Sequence, residues 1–126
     1  MRVLLDSHAL LWWFSDNAKL SKTAKNAIRT GDVYVSSVTA YELGIKFRRG
    51  QLAEASELFS DFELYCADEM FQLLPVKAEH ALAAAAFDDS HRDPFDRLIA
   101  GQSLVERLAV VTVDKAMHSF GCKIIW

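Results

Sequence analysis

Four acidic side chains carry the chemistry open to this chain: Asp6, Glu42, Asp96 and Asp114. Asp6 closes the apolar run Val3-Leu4-Leu5, and Asp114 closes Ala109-Val110-Val111-Thr112-Val113. Glu42 lies early in a helical stretch after Val33-Tyr34-Val35, and Asp96 opens another helix in His91-Arg92-Asp93-Pro94-Phe95-Asp96. Their number is ordinary. Their predicted placement, at C-terminal strand ends and at the starts of the helices that follow, is not, because ligands of open α/β sheets bind at that edge. Carboxylates gathered there repel one another and are stable together around a hard cation, and oxygen ligation suits Mg²⁺ or Mn²⁺. Such a site fits phosphodiester hydrolysis, in which divalent ions activate water and stabilise the leaving oxygen. Asp6, Asp96 and Asp114 are the first-choice ligands. Glu42 either binds a second ion or orients the water. Ser7 and Thr112 either hydrogen-bond metal-bound waters or close their strand ends.

The elements that must position these acids alternate along the chain. Strands are predicted over 2–5, 33–35, 71–74, 109–113 and 123–126. Helices are predicted over 8–14, from the Ser21 cap to about 29, over 38–49, from 54 to about 67, over 77–87 and over 95–108. Ser36 or Ser37 caps the third helix, Gly31 and Gly50 act as stops, and Pro94 starts the last helix. The stretch 54–67 is read as one helix because Leu58, Phe62 and Tyr65 recur at spacings of four and three. Strands alternating with helices predict an α/β fold, a central parallel sheet of about five short strands flanked by helices on both faces.

Composition narrows the classes. A chain of 126 residues fits one domain, and 52% hydrophobic residues can bury a core. No apolar run reaches the roughly 18–20 residues of a membrane span, and the acid at position 6 interrupts any signal-peptide core. Cys66 and Cys122 have no metal-ligand spacing and are expected to be reduced structural thiols in a cytoplasm. The net charge of −3 hides an asymmetry: residues 1–50 carry eight Lys/Arg against four Asp/Glu, whereas residues 51–100 carry three against eleven. Overall acidity argues against a protein that coats nucleic acid nonspecifically but leaves room for a local basic track, with Lys22, Lys25 and Arg29 or Lys46, Arg48 and Arg49 as its members.

Four segments then resemble one known family. Asp6-Ser7-His8-Ala9-Leu10-Leu11-Trp12 is similar to the opening of PIN-domain nucleases, and residues 36–46 around Tyr41-Glu42 to their second motif. His91-Arg92-Asp93-Pro94-Phe95-Asp96-Arg97-Leu98-Ile99-Ala100 resembles the third, and Thr112-Val113-Asp114 the fourth. The resemblance runs nearly end to end and points to VapC-type toxins of bacterial toxin–antitoxin pairs. Tyr41 stands where that branch commonly has Trp, and Ser7 where Thr is more common; neither change touches an acid. The resemblance implies a single PIN domain over 1–126 and a Mg²⁺-dependent endoribonuclease, with Mn²⁺ as a substitute. It also implies an RNA substrate, an inhibiting cognate antitoxin, a homodimer and a cytoplasmic location. It favours Asp96 over Asp93 as the third-motif acid, leaving Asp93 as a helix cap or an outer support of the site.

Each acid also has an ordinary structural use. Asp6 and Asp114 can serve as strand-end caps, Glu42 can pair with Lys46 at i,i+4 for ~0.2–0.5 kcal/mol, and Asp93 or Asp96 suits a helix N-terminus. Taken together with the motifs, the acids favour a site. His8 and His91 are read as packed or surface residues, and Arg97 as pairing with a neighbouring acid. Trp12, Trp13 and Phe14 are read as reaching a partner, a second subunit or an antitoxin. Two other classes compete: a catalytically silent PIN-like module that binds protein or RNA, and a phosphoacceptor receiver. Intact acids at all four positions count against the first. The second leaves the Asp-Pro-Phe-Asp segment unexplained.

Overall fold

A computed structural model describes residues 1–126. Its elements are β1 (Arg2–Leu5), α1 (Ser7–Phe14), α2 (Lys22–Thr30), β2 (Asp32–Ser36), α3 (Ser37–Arg48), α4 (Phe62–Asp68), β3 (Gln72–Leu74), α5 (Ala78–Ala86), α6 (Pro94–Glu106), β4 (Ala109–Val111) and β5 (Ile124–Ile125), with 3₁₀ turns at Ala53–Phe59 and Lys115–Phe120. The five strands form one parallel sheet in the order β3-β2-β1-β4-β5. β1 is central, pairing Val3 with Val33 on one side and with Ala109 on the other.

Alternation along the strands sorts two cores onto the two faces. Val3, Leu5, Val33, Val35, Ala109 and Val111 pack with Leu10, Ile28 and Leu43 from α1, α2 and α3. Leu4 and Val110 point the other way and pack with Ile99, Ala100, Met117 and Phe120. Strands buried on both sides read as unbroken apolar runs, as β1 and β4 do. The fold is thus the predicted parallel α/β sheet covered by helices on both faces.

Local chemistry sets the boundaries. Ser21, Ser36, Asp61 and Asp93 each accept a backbone N–H at the start of a helix, satisfying donors that the first turn leaves orphaned. Ser36 is the cap of α3, while Ser37 Oγ instead accepts the Val76 N–H at 3.3 Å. Gly31 ends α2 in an extended conformation; a Cβ there would meet the carbonyls of Ala27 and Met1 at 2.7 Å. Close approach, not a left-handed turn, is what requires glycine. Gly101 plays the same part between α5 and α6, where a Cβ would lie 2.6 Å from the His80 carbonyl.

Three sequence readings are corrected. Residues 54–67 form a kinked 3₁₀ segment and the short α4, not one helix: Ala55 leaves helical geometry, and Asp61 caps a fresh start. β4 stops at Val111, because the Thr112 side chain turns to neighbouring polar groups. α6 follows α5 and a loop, so Asp96 does not sit after a strand. Cys66 and Cys122 are unpaired and buried, and burial pushes the Cys66 thiol up to about 11. No helix is long and apolar enough to cross a membrane.

Candidate active site

Asp6 leaves the C-terminal end of β1 and caps α1, its Oδ1 accepting the Ala9 N–H at 2.8 Å. Its other oxygen accepts a short hydrogen bond from the Thr112 hydroxyl. Thr112 Oγ1 in turn accepts the Asp114 N–H at 3.0 Å. One hydroxyl just past β4 therefore ties the end of β1 to the backbone of Asp114. Of the two uses expected of Thr112, its hydrogen bonds show the closing of the strand end.

α6 brings Asp96 to the same edge. Asp93 accepts the N–H groups of Phe95 and Asp96, and Pro94 fills the first turn, where no N–H is needed. The loop before the helix folds back so that His91 Nε2–H donates to Asp96 Oδ2 at 2.9 Å. The His91 ring packs edge-on to Phe120, with centroids 5.1 Å apart. Ligand atoms of His91, Asp96 and Asp114 all lie within 4.8 Å of one another. Neither Asp6 nor Glu42 belongs to that group of three.

Electrostatics nevertheless couples Asp6 to it. Burial raises the Asp6 carboxyl above its ordinary 3.8, against the pull of the Thr112 and Ala9 hydrogen bonds and of His8, and the Asp96 charge adds to the rise. Burial also raises Asp96; the His91 bond opposes this, and the negative charges of Asp93 and Asp114 reinforce it. Asp6, Asp96 and Asp114 thus form one linked acidic cluster. Glu42 stands to its side, on the second turn of α3, where Glu42 Oε2 accepts from Ser7 Oγ at 3.3 Å and pairs with Lys46 at 3.5 Å. The i,i+4 pair is real, but the bond to Ser7, next to Asp6, also anchors Glu42 to the cluster.

His91 is the site residue that sequence reasoning underrated. The usable signal was the loop chemistry: an Asp cap and a Pro at the helix start reverse the chain and return position 91 to position 96. Arg97 also differs from expectation. It binds no carboxylate; its guanidinium donates to the carbonyls of Ala84, Phe87, Asp88 and His91. These close the end of α5 and the loop beyond it, where carbonyls would otherwise lack donors. Arg97 thereby fixes the loop that carries His91.

The aromatic run 12–14 is largely absorbed by the fold. Phe14 packs edge-on to Tyr65 and Phe71, and Trp13 Nε1–H donates to Glu69 at 3.1 Å. Trp12 and Trp13 still line the largest cleft, about 370 Å³, with Asp16, Leu20, Lys25, Arg29 and Glu69. This cleft lies at the far end of α1 from Asp6, and the clustered acids do not line it. His8 is exposed and stacks on Trp12.

Comparison with known proteins fits this geometry. The chain is 29% identical over 119 residues to Ribonuclease VapC22 of Mycobacterium tuberculosis, covering 93% of this chain and 90% of that one. VapBC2 from Rickettsia felis, solved bound to a DNA fragment from its promoter, shares the fold at a TM-score of 0.71 and 12% identity, over 98% of this chain and 97% of that chain. A toxin–antitoxin complex from Klebsiella pneumoniae gives 0.59 at 17% identity, over 89% and 86%. Residues 3–121 match the family model described as PIN domain, and the chain therefore belongs to the PIN domain family.

Proposed function

We propose that this chain is the toxin of a toxin–antitoxin pair, a Mg²⁺-dependent endoribonuclease acting as a single PIN domain over 1–126. The observation that carries the reading is the linked cluster of Asp6, Asp96 and Asp114 at one sheet edge. Asp6 accepts only from neutral donors, Thr112 and the Ala9 N–H, and the Asp114 carboxylate accepts the Ala116 N–H. Three coupled acids with no lysine or arginine bonded to them are a donor set that fits a divalent cation. Oxygen donors favour Mg²⁺, with Mn²⁺ as a substitute. The 29% identity to a named ribonuclease supports RNA as the polymer cut.

Asp6, Asp96 and Asp114 hold the ion in this reading. A bound Mg²⁺ supplies an acidified water and offsets charge on the leaving oxygen. Thr112 fixes Asp6 and Asp114 relative to each other, Asp93 fixes the start of α6, and Ser7 turns Glu42 toward the cluster. Glu42 orients the attacking water or reaches a second ion. His91 holds Asp96 in place and limits the directions its free oxygen can face.

The toxin–antitoxin reading draws on the structural neighbours that are such complexes. An antitoxin suited to this surface has an apolar segment for the Trp12–Trp13–Leu20 cleft and a basic residue for the carboxylates, Arg being favoured for its bidentate fork. The toxin works in the cytoplasm as a homodimer. The deciding experiment incubates purified protein with RNA in Mg²⁺, Mn²⁺ or EDTA, beside Asp6→Asn. Cleavage with either metal, lost in EDTA and in the variant, is expected. Equal cleavage in EDTA would overturn the metal reading, and a 2′,3′-cyclic phosphate product would point to metal-free acid–base chemistry.

A further inference from the structure

Tyr41 is a large ring with little structural work to do. It is 65% exposed, although it sits in the first half of α3. Consecutive helical positions diverge by about 100°, so Glu42 faces Ser7 on α1 while Tyr41 faces the start of α6. There its ring meets Phe95 in an edge contact, centroids 5.9 Å apart and planes at 67°. Phe95 is half-buried against the second core and directly precedes Asp96. The two rings thus bridge the two helices that carry Glu42 and Asp96. An edge contact pins an aromatic ring while leaving much of its face uncovered.

We propose that Tyr41 is a base-stacking platform for a nucleotide flanking the scissile phosphate, with Phe95 as the residue that holds it in place. The inference rests on the endoribonuclease reading and names how that site grips its substrate. Three observations favour a nucleobase as occupant. Tyr41 is next in sequence to Glu42 and its ring touches Phe95, next in sequence to Asp96, so a strand held at these acids passes close to it. Lys46, further along α3, offers a cation on the same helix and is 37% exposed while paired to Glu42. The exposed apolar surface here is centred on this one ring: one turn away along α3, Val38 is buried, Ile45 is half-buried and Ser37 is polar. An exposed aromatic ring next to the groups that bind the strand is the arrangement on which unpaired bases stack, tolerant of sequence because every base has a π-face.

Stacking makes a prediction that a purely structural Tyr41 does not. Adenine stacks better than uracil, so short oligoadenylate should be cut with a lower KM than oligouridylate. Tyr41→Ala should raise the KM for oligoadenylate about tenfold, leave kcat within about twofold and erase the preference, since one base on one ring is worth roughly that factor. Tyr41→Phe and Tyr41→Trp should restore it. A spectroscopic arm reads the contact without turnover. An oligonucleotide carrying 2-aminopurine should be quenched by the wild-type chain and by the Tyr41→Phe and Tyr41→Trp variants, and not by Tyr41→Ala. If the wild type quenches the probe but cuts no RNA with any divalent ion, the nuclease reading fails while the platform stands. If the wild type cuts RNA and Tyr41→Ala keeps its KM and its quenching, the platform is wrong. A fall in oligomeric mass by light scattering in Tyr41→Ala, with KM unchanged, would overturn the platform and assign the ring to a subunit contact.

Discussion

Two His–carboxylate pairs sit at opposite ends of α6, and they are built to different ends. At the C-terminal end His80 Nε2–H donates to Glu106 at 3.0 Å; at the N-terminal end His91 does the same to Asp96 at 2.9 Å. The bonds are alike, but the surroundings are not. His80 is fully buried and uses both nitrogens, Nδ1 accepting the Lys77 N–H at 2.9 Å and so fixing the tautomer. Its bond draws the Glu106 carboxyl below its ordinary value, helped by the charges of Lys77 and Arg2. Asp96 has the same donor, yet burial and the charges of Asp93 and Asp114 override it and push the carboxyl up. Glu106 stands among cations, which favour its charged form. Asp96 is desolvated and stands among acids, with His91 as the group that opposes the rise. A hydrogen bond alone therefore does not distinguish a structural pair from a reactive one; desolvation of the carboxyl, reinforced by the sign of the neighbouring charges, does.

Exchanging the two acids for amides should separate the pairs most sharply. Asp96→Asn is expected to lower RNA cleavage on the order of a thousandfold or more, as loss of a group that organises transition-state charge does. Glu106→Gln should leave cleavage unchanged. Single-turnover rates on one RNA decide it; retained Mg²⁺-dependent activity in both Asp96→Asn and Asp6→Asn would remove these acids from the site. The histidines should reverse the order for stability. His80→Ala empties a buried volume and orphans the Lys77 N–H, which together cost about 2–4 kcal/mol. His91→Ala, on a ring that is 21% exposed and holds no backbone N–H, should cost less, about 1 kcal/mol. Urea titration of the two variants measures the difference, and equal losses would break the comparison.

The pH response of the metal-free protein carries the same contrast with opposite signs. The native state holds the Asp6 and Asp96 protons more tightly than the unfolded chain, so their ionisation opposes folding. That penalty is absent below 3.8 and grows as pH rises from there through the raised native values. Glu106 is depressed below 4.5, so its contribution is present above that value and is lost as pH falls through the native one. In EDTA at pH 7, Asp6→Asn and Asp96→Asn should raise Tm by a few degrees, and the gain should shrink as the buffer is acidified toward pH 4. Glu106→Gln should lower Tm at pH 7. Thermal melts across pH 4–7 test both, and a lower Tm for the two Asp variants at pH 7 would show that their negative charge is not strained.

Much of this was legible where local chemistry and tertiary packing agree. The apolar runs of β1 and β4 and the caps Ser21 and Asp93 announce their elements in the sequence, and Asp6 follows directly from β1. The acids were legible as a set because each borders a recognisable element. What escaped depends on competition between local options. The stripe of Leu58, Phe62 and Tyr65 suggested one helix, but Asp61 captures the Leu64 N–H at 3.2 Å and starts a new one. Thr112 and Val113 have strand propensity, yet Thr112 Oγ1 gains more by joining Asp6 to Asp114. The role of Arg97 is a consequence of how the loop between α5 and α6 closes, which no spacing in the chain encodes, whereas His91, five residues before Asp96, had its signal in the Asp93 cap and Pro94.

The smallest expected effect tests whether position 93 belongs with the acids or with the scaffold. Asp93 has no place among the clustered ligand atoms of His91, Asp96 and Asp114. Its carboxylate is spent on the N–H groups of Phe95 and Asp96, and its charge reaches the site only by raising Asp96. Asparagine caps a helix about as well as aspartate, so Asp93→Asn should keep stability within about 0.5 kcal/mol and reduce cleavage by less than about tenfold. Asp93→Ala removes the cap as well and should cost about 1 kcal/mol. Measuring both variants separates the charge from the cap. If Asp93→Asn instead loses as much activity as Asp96→Asn, the carboxylate itself takes part in the chemistry, and the acidic cluster must be redrawn to include it.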